Sequence, residues 1–170
     1  MRTLHKFVVA SLLFFTGCTS QSGCLNPFAP GLDTSPAEST CNPVSIEGVF
    51  RCFQTAYTFR DTTDYGKLVA ADFVFIYRDY DRGIDVTWGR DEEMRATYGL
   101  FQNAPKLDLI WNNIISIAPD STNVIRGFNL TITFNANDVV RIDGYANISL
   151  TKAASTDPWK ITRWRDESNF

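Results

Sequence analysis

Any chemistry in this chain has to be done without imidazole. The only histidine is His5, within the first six residues. Beyond it there is no Ser-His-Asp or Cys-His nucleophile, no imidazole general base and no histidine metal ligand. What remains is carboxylate, phenol, ammonium, guanidinium and thiol. Tyr57 and Tyr77 offer phenols that can donate a hydrogen bond. Asp72 offers a carboxylate that either takes a proton or ends a helix and begins a strand. Trp88, Trp111, Trp159 and Trp164 supply large flat rings, which line a pocket for an apolar molecule or fill a core. Trp159 reads as core. Arg141, Asp143 and Tyr145 alternate along one strand face, as a cluster with a perturbed Asp or as opposite charges in solvent. Asp91, Glu92 and Glu93 stand together at a helix start, where carboxylates favour the positive helix end. Neither these carboxylates nor the cysteine spacing suggests a metal site, and the expectation is no metal and no cofactor.

Hydrophobic periodicity lays out the elements that must hold these residues. Asn42-Pro43 reads as the opening of a helix, Asn as cap and Pro at the first helical position. Ile46, Val49, Phe50, Phe53, Ala56 and Tyr57 then recur at spacings of three and four, as far as Asp61–Asp64. A shorter helical piece, Tyr65 to Ala71, presents Leu68, Val69 and Ala71 to the same core. From Phe73 the period becomes two. Phe73–Tyr77 reads as a strand, Asp79–Gly83 as a turn and Ile84–Thr87 as the returning partner. After Gly89 a helix carries Met94, Thr97, Tyr98 and Phe101 on its apolar stripe. Four longer strands follow, Leu107–Ile117, Val124–Phe134, Val139–Leu150 and Trp159–Arg165. Their short connectors make them antiparallel neighbours. Phe128, Leu130, Ile132 and Phe134 face one way in one strand, and Val140, Ile142, Ala146, Ile148 and Leu150 in the next. Their other faces are polar, as in a sheet covered by helices on one side.

The start of the chain reads as an address. Arg2 and Lys6 precede the apolar run Phe7–Phe15. A membrane span needs about 20 apolar residues, so this run has the build of a secretory signal instead. Thr16-Gly17-Cys18 at its end resembles the bacterial lipobox. The resemblance implies cleavage before Cys18 and diacylation of Cys18, which would hold the rest of the chain at a membrane. The expected organisation is a signal at 1–17, a lipidated Cys18 with a flexible Ser/Thr/Pro-rich tether to 41, and one domain at 42–170.

Loss of the leader takes the 16 basic residues to 14 against 19 acidic, a net charge of −5. Phosphate binding needs a basic patch, so nucleic acid is excluded as the main partner. Cys24, Cys41 and Cys52 remain after Cys18 in a compartment that permits disulfides. Three cysteines leave one over. Cys24 and Cys41 flank a loop containing Pro and Gly, and that pair is favoured over Cys41–Cys52.

The order helix, short helix, hairpin, helix and four strands resembles the NTF2-like superfamily, also called SnoaL-like or ketosteroid-isomerase-like. Three stretches carry the resemblance: Asp64–Tyr77, with its short helix running into Asp72-Phe73; Trp88-Gly-Arg-Asp-Glu-Glu-Met94; and Trp159-Lys-Ile-Thr-Arg-Trp-Arg-Asp166. It implies an α+β fold in which N-terminal helices pack on a strongly bent antiparallel sheet to form a cone with an apolar pocket. It also implies that Tyr57, Asp72 and Tyr77 lie on elements lining the cone. Where the family's isomerases carry a catalytic Asp this chain has Tyr77, and the histidine of the scytalone-type dehydratases is missing.

Three functions follow as expectations. The first is a non-catalytic domain in the bacterial cell envelope, tethered by lipid outside the cytoplasm, that binds a small apolar ligand or a partner. The second is an isomerase-, dehydratase- or cyclase-type enzyme using Asp/Tyr acid–base chemistry. The third is a structural envelope protein that forms a homodimer through its sheet. The residues expected around a pocket are Tyr57, Asp72, Tyr77, Trp88, Trp111 and Trp164.

Overall fold

The computed structural model describes residues 41–168. The expected leader, Cys18, Cys24 and the tether up to residue 40 lie outside the described residues.

Helix α1, Ile46–Phe59, buries Val49, Phe50, Phe53, Ala56 and Tyr57, the stripe set by the spacings of three and four. Its cap differs from expectation. Asn42 turns its side chain to the nearby Val44 amide. The Ser45 hydroxyl accepts the Gly48 N–H at 3.0 Å, so the helix begins at Ile46. Arg60 ends it in the left-handed region, φ 56°, with its N–H reaching the carbonyls of Ala56 and Tyr57.

The residues before α1 fold back along it, and Gly48 is what allows this. A Cβ at Gly48 would lie 1.9 Å from the Asn42 carbonyl oxygen. The outcome is a Cys41–Cys52 disulfide with Cα atoms 4.9 Å apart, within the usual span. The expected Cys24–Cys41 pair is therefore corrected. Cys41 is joined to Cys52, a buried residue of α1, because the tight turn brings the chain back onto the helix. Closing a loop of this length contributes roughly 2–3 kcal/mol in the chain-entropy picture.

Helix α2, Thr62–Leu68, is capped by Asp61, which accepts the Asp64 N–H at 2.9 Å. It has the expected length but lies three residues earlier in the chain than Tyr65 to Ala71. Strand β1, Val69–Asp79, begins as soon as Val69 can pair with Ile161. Ala71 and Asp72 therefore lie in a strand and are exposed, and Ala71 is not part of the core. Strand β2, Ile84–Gly89, pairs back on β1. Helix α3, Arg90–Asn103, turns Glu93, Thr97 and Phe101 inward. Tyr98, expected on the apolar stripe, is exposed.

Strands β3 (Lys106–Ile117), β4 (Asn123–Asn135), β5 (Asp138–Thr151) and β6 (Lys160–Ser168) complete the chain. The six strands form one sheet in the order β2-β1-β6-β5-β4-β3. The ladders β3–β4, β4–β5 and β5–β6 are antiparallel, as short connectors require. The ladder between β1 and β6 is parallel, so the sheet is mixed rather than wholly antiparallel. These two strands are far apart in sequence, and no hairpin fixes their relative direction.

The result is an α+β fold with three helices packed on one face of the sheet. Phe128 and Ile132 of β4, with Ile142, Ala146, Ile148 and Leu150 of β5, meet the helices. Val140 outruns that cover and is exposed. Arg141, Asp143 and Tyr145 are exposed on the other face. Trp159 is buried, as expected of a core residue.

Candidate functional site

The site grows from the end of β1. Alternation turns Phe75 and Tyr77 inward, and pairing with β2 sets Trp88 beside Phe75. Their rings stack, with centroids 4.5 Å apart and planes 17° from parallel. Tyr77 leans on Trp88 at 5.5 Å and 55°. The parallel ladder then places Asp166 of β6 next to Tyr77. Asp79 at the end of β1, with Tyr80 and Asp81 in the turn that follows, lines the same space. Together they bound a half-open cleft of ≈ 450 Å³, within the range of roughly 300–1,000 Å³ common for small-molecule sites.

Behind the cleft lies a buried carboxylate. Glu93 is 4% exposed. Its Oε2 accepts the Trp88 indole N–H at 2.7 Å. Its Oε1 accepts the Tyr65 hydroxyl at 2.6 Å and the Thr97 hydroxyl at 3.1 Å. Three donors thus stand in for water, which is the condition for burying a carboxylate with no cation beside it. Glu93 fixes the edge of Trp88, and with it one wall of the cleft.

Deeper still, the space between helices and sheet is filled by the chain's own rings. Phe53 sits among Tyr57, Tyr65, Trp111 and Trp164, with centroid distances of 4.9, 5.3, 5.4 and 5.3 Å. Phe75 links this cluster to the cleft through Trp164 at 5.1 Å. The indole N–H groups of Trp111 and Trp164 are the only buried side-chain polar atoms without a hydrogen-bond partner among the described residues.

Around the site Tyr57, Tyr65 and Asp166 titrate above their ordinary range, in each case chiefly through burial. Burial pushes the Tyr57 phenol far up, and the charges of Glu93 and Asp166 add to this, while a hydrogen bond with Thr97 opposes it. Tyr57 is therefore a neutral donor at any ordinary pH. Burial also raises the Asp166 carboxyl above 3.8, against the pull of the Ser168 hydroxyl and amide. A raised native value means that the folded state holds this proton more tightly than the unfolded one. The native charge then costs stability above the folded value and nothing below 3.8, where both states are protonated. Asp166→Asn is expected to raise Tm at neutral pH and to lose that advantage as pH falls toward 3.8. Thermal melts across the acid range check this; a lowered neutral Tm would show the carboxylate to be stabilising where it sits.

The six residues expected around a pocket separate into three places. Tyr77 and Trp88 line the cleft. Tyr57, Trp111 and Trp164 belong to the ring cluster beneath it. Asp72 is exposed on β1, in a shallow depression with Arg90 and Arg95, away from the cleft. Its neighbour Phe73 takes the inward position, so alternation sends Asp72 out. The residues not foreseen are Glu93 and Asp166. Each had a signal: Glu93 stands four residues before Thr97 and eight before Phe101, and Asp166 two after Trp164.

No protein-family model matches the sequence, and no curated protein matches it. Solved structures do match. One described as a SnoaL-like polyketide cyclase from Jannaschia aligns with TM-score 0.54 and 16% identity over 77% of this chain and 89% of that one. One described as a scytalone dehydratase from Novosphingobium aromaticivorans aligns with TM-score 0.57 and 16% identity over 74% of this chain and 82% of that one. An NTF2-like protein of unknown function from Exiguobacterium aligns with TM-score 0.52 and 12% identity over 71% and 98%. The chain has the NTF2-like fold. At such identities the NTF2-like fold is what is shared, and the chemistry has to be read from the side chains above.

Proposed function

We propose that this NTF2-like domain binds a small, largely apolar molecule in the cleft between β1, β2 and β6. We also propose that it does so at a bacterial membrane, held by an acylated Cys18. The cleft carries the first reading. Its walls are aromatic, its position is fixed by Glu93 through Trp88, and the space beneath it is closed by packed rings. Two proteins of this fold are described as a polyketide cyclase and a scytalone dehydratase, so the fold accommodates small organic molecules. A thermal-shift screen of neutral apolar carbonyl compounds against the full chain tests the reading. Hits should raise Tm in the native protein and fail to do so in Trp88→Ala. Hits that act equally on both proteins would place binding elsewhere.

The tether rests on the short apolar run and on Thr16-Gly17 before Cys18. Bacteria fed a labelled fatty acid should label the full chain but not Cys18→Ser. Equal label in both would remove Cys18 as the anchor.

A second reading, acid–base catalysis, has one observation in its favour. Asp166 is a carboxyl of raised pKa on the cleft wall, with the neutral phenol of Tyr57 close by. Proton exchange of a bound carbonyl compound, followed by NMR and abolished in a folded Asp166→Asn protein, would make the domain an enzyme. Binding without exchange leaves it a binding module.

A further inference from the structure

The cleft combines aromatic faces and acidic groups in a way that suits one class of ligand. Phe75, Tyr77 and Trp88 are not parallel throughout. Phe75 and Trp88 are stacked, while Tyr77 is tilted by 38° to one and 55° to the other. The three rings therefore meet at an angle, and Tyr80 lines the same cleft. Faces of aromatic rings carry negative potential and attract cations.

The charges in the cleft agree with this. Asp79, Asp81 and Asp166 line it, and Arg78 is its one basic residue. Arg78 is already engaged, donating to Asp85 on β2 at 3.1 Å. Asp79 accepts the Arg82 amide and lies 3.6 Å from the exposed Arg82 guanidinium. Asp166 is held by Ser168 and has no basic partner among the described residues. A neutral apolar guest would leave that carboxyl without a counter-charge. Glu93 adds to the effect from behind. A carboxylate that accepts the indole N–H pushes electron density into the ring, and the face of Trp88 toward the cleft gains negative character.

We propose that the group bound in the cleft is an organic cation, an alkylated ammonium whose methyl groups rest on Phe75, Tyr77 and Trp88 and whose charge faces Asp166. The proposal rests on the reading of the cleft as a ligand site and names the chemistry of what enters it. A hydrated metal ion has no methyl groups to bury on the rings, and a flat anion would meet the carboxylates.

Choline and neohexyl alcohol, its uncharged isostere with carbon in place of nitrogen, form the test pair. Each is titrated into the labelled full chain, and the indole N–H resonance of Trp88 is followed, identified by its absence from Trp88→Phe. Choline should move that resonance, with an affinity at least roughly tenfold above that of the alcohol. Asp166→Asn should weaken choline by a similar factor and leave the alcohol unchanged. Equal affinity for the two compounds at Trp88 would overturn the cation proposal while keeping the cleft as a ligand site. No movement with choline, where neutral hits from the thermal-shift screen do move the resonance, would overturn it in the same way. No movement with choline and no hit dependent on Trp88 would remove the ligand site as well.

Discussion

Truncating Phe53 to alanine is expected to remove about 3–5 kcal/mol of stability, the range for emptying a buried aromatic position. Phe53 is 2% exposed and touches Tyr57, Tyr65, Trp111 and Trp164. No neighbouring side chain is free to collapse into the space, because each of those rings is held by further rings. Trp111 packs on Phe50 at 4.8 Å, Trp164 on Phe75 at 5.1 Å and Tyr57 on Phe101 at 5.2 Å. Domains of this size have total stabilities of about 5–15 kcal/mol, so the loss would be a large share. Phe53→Leu keeps more volume and should lose less. Urea denaturation of the three proteins gives the comparison. A loss below about 1 kcal/mol for Phe53→Ala would mean that the space beneath the cleft can close up or is not tightly packed.

Glu93 should show a steep dependence on what replaces it. Glu93→Ala leaves the Tyr65 hydroxyl, the Thr97 hydroxyl and the Trp88 indole N–H without their acceptor. Each buried unsatisfied group costs about 1–3 kcal/mol, and the hydroxyls can find partial relief by rotation. A loss of about 3 kcal/mol or more is expected. Glu93→Gln is different. An indole N–H only donates, so the amide oxygen must face Trp88 and its NH₂ must face the two hydroxyls, which can both accept. All three contacts survive, and the loss should be about 1 kcal/mol. The two substitutions should also part in function. Glu93→Ala frees the Trp88 ring and should weaken any ligand that rests on it, whereas Glu93→Gln should hold the ring in place. Equal losses in both variants would mean that the negative charge, not the set of hydrogen bonds, is what the site needs.

Much of the fold could be read from periodicity because the buried and exposed faces differ in composition. The α1 stripe from Val49 to Tyr57 and the alternation Phe128, Leu130, Ile132 are plain in the sequence, and the structure places them as that pattern requires. The parallel ladder between β1 and β6 was not legible, since nothing local sets the direction of strands so far apart. Glu93 was hidden by its neighbours. Asp91, Glu92 and Glu93 all suit a helix start, and only the spacing to Thr97 and Phe101 picks out the one that turns inward. The disulfide depended on a backbone detail. Cys41 reaches Cys52 because the Asn42 carbonyl passes over Gly48, a close approach that no periodicity reports. Asp72 was placed wrongly for a simpler reason. The expected helix runs to Ala71 with Asp72 at the junction, whereas β1 already begins at Val69 and its alternation turns position 72 outward.

Whether the cleft holds the ligand is tested most directly by intermolecular nuclear Overhauser effects between a bound hit and the aromatic protons of the full chain. The expected result is contact with the rings of Trp88 and Tyr77, lost in Trp88→Ala. Contact confined to Tyr145 on the outer face of the sheet, or none with either cleft ring, would contradict it.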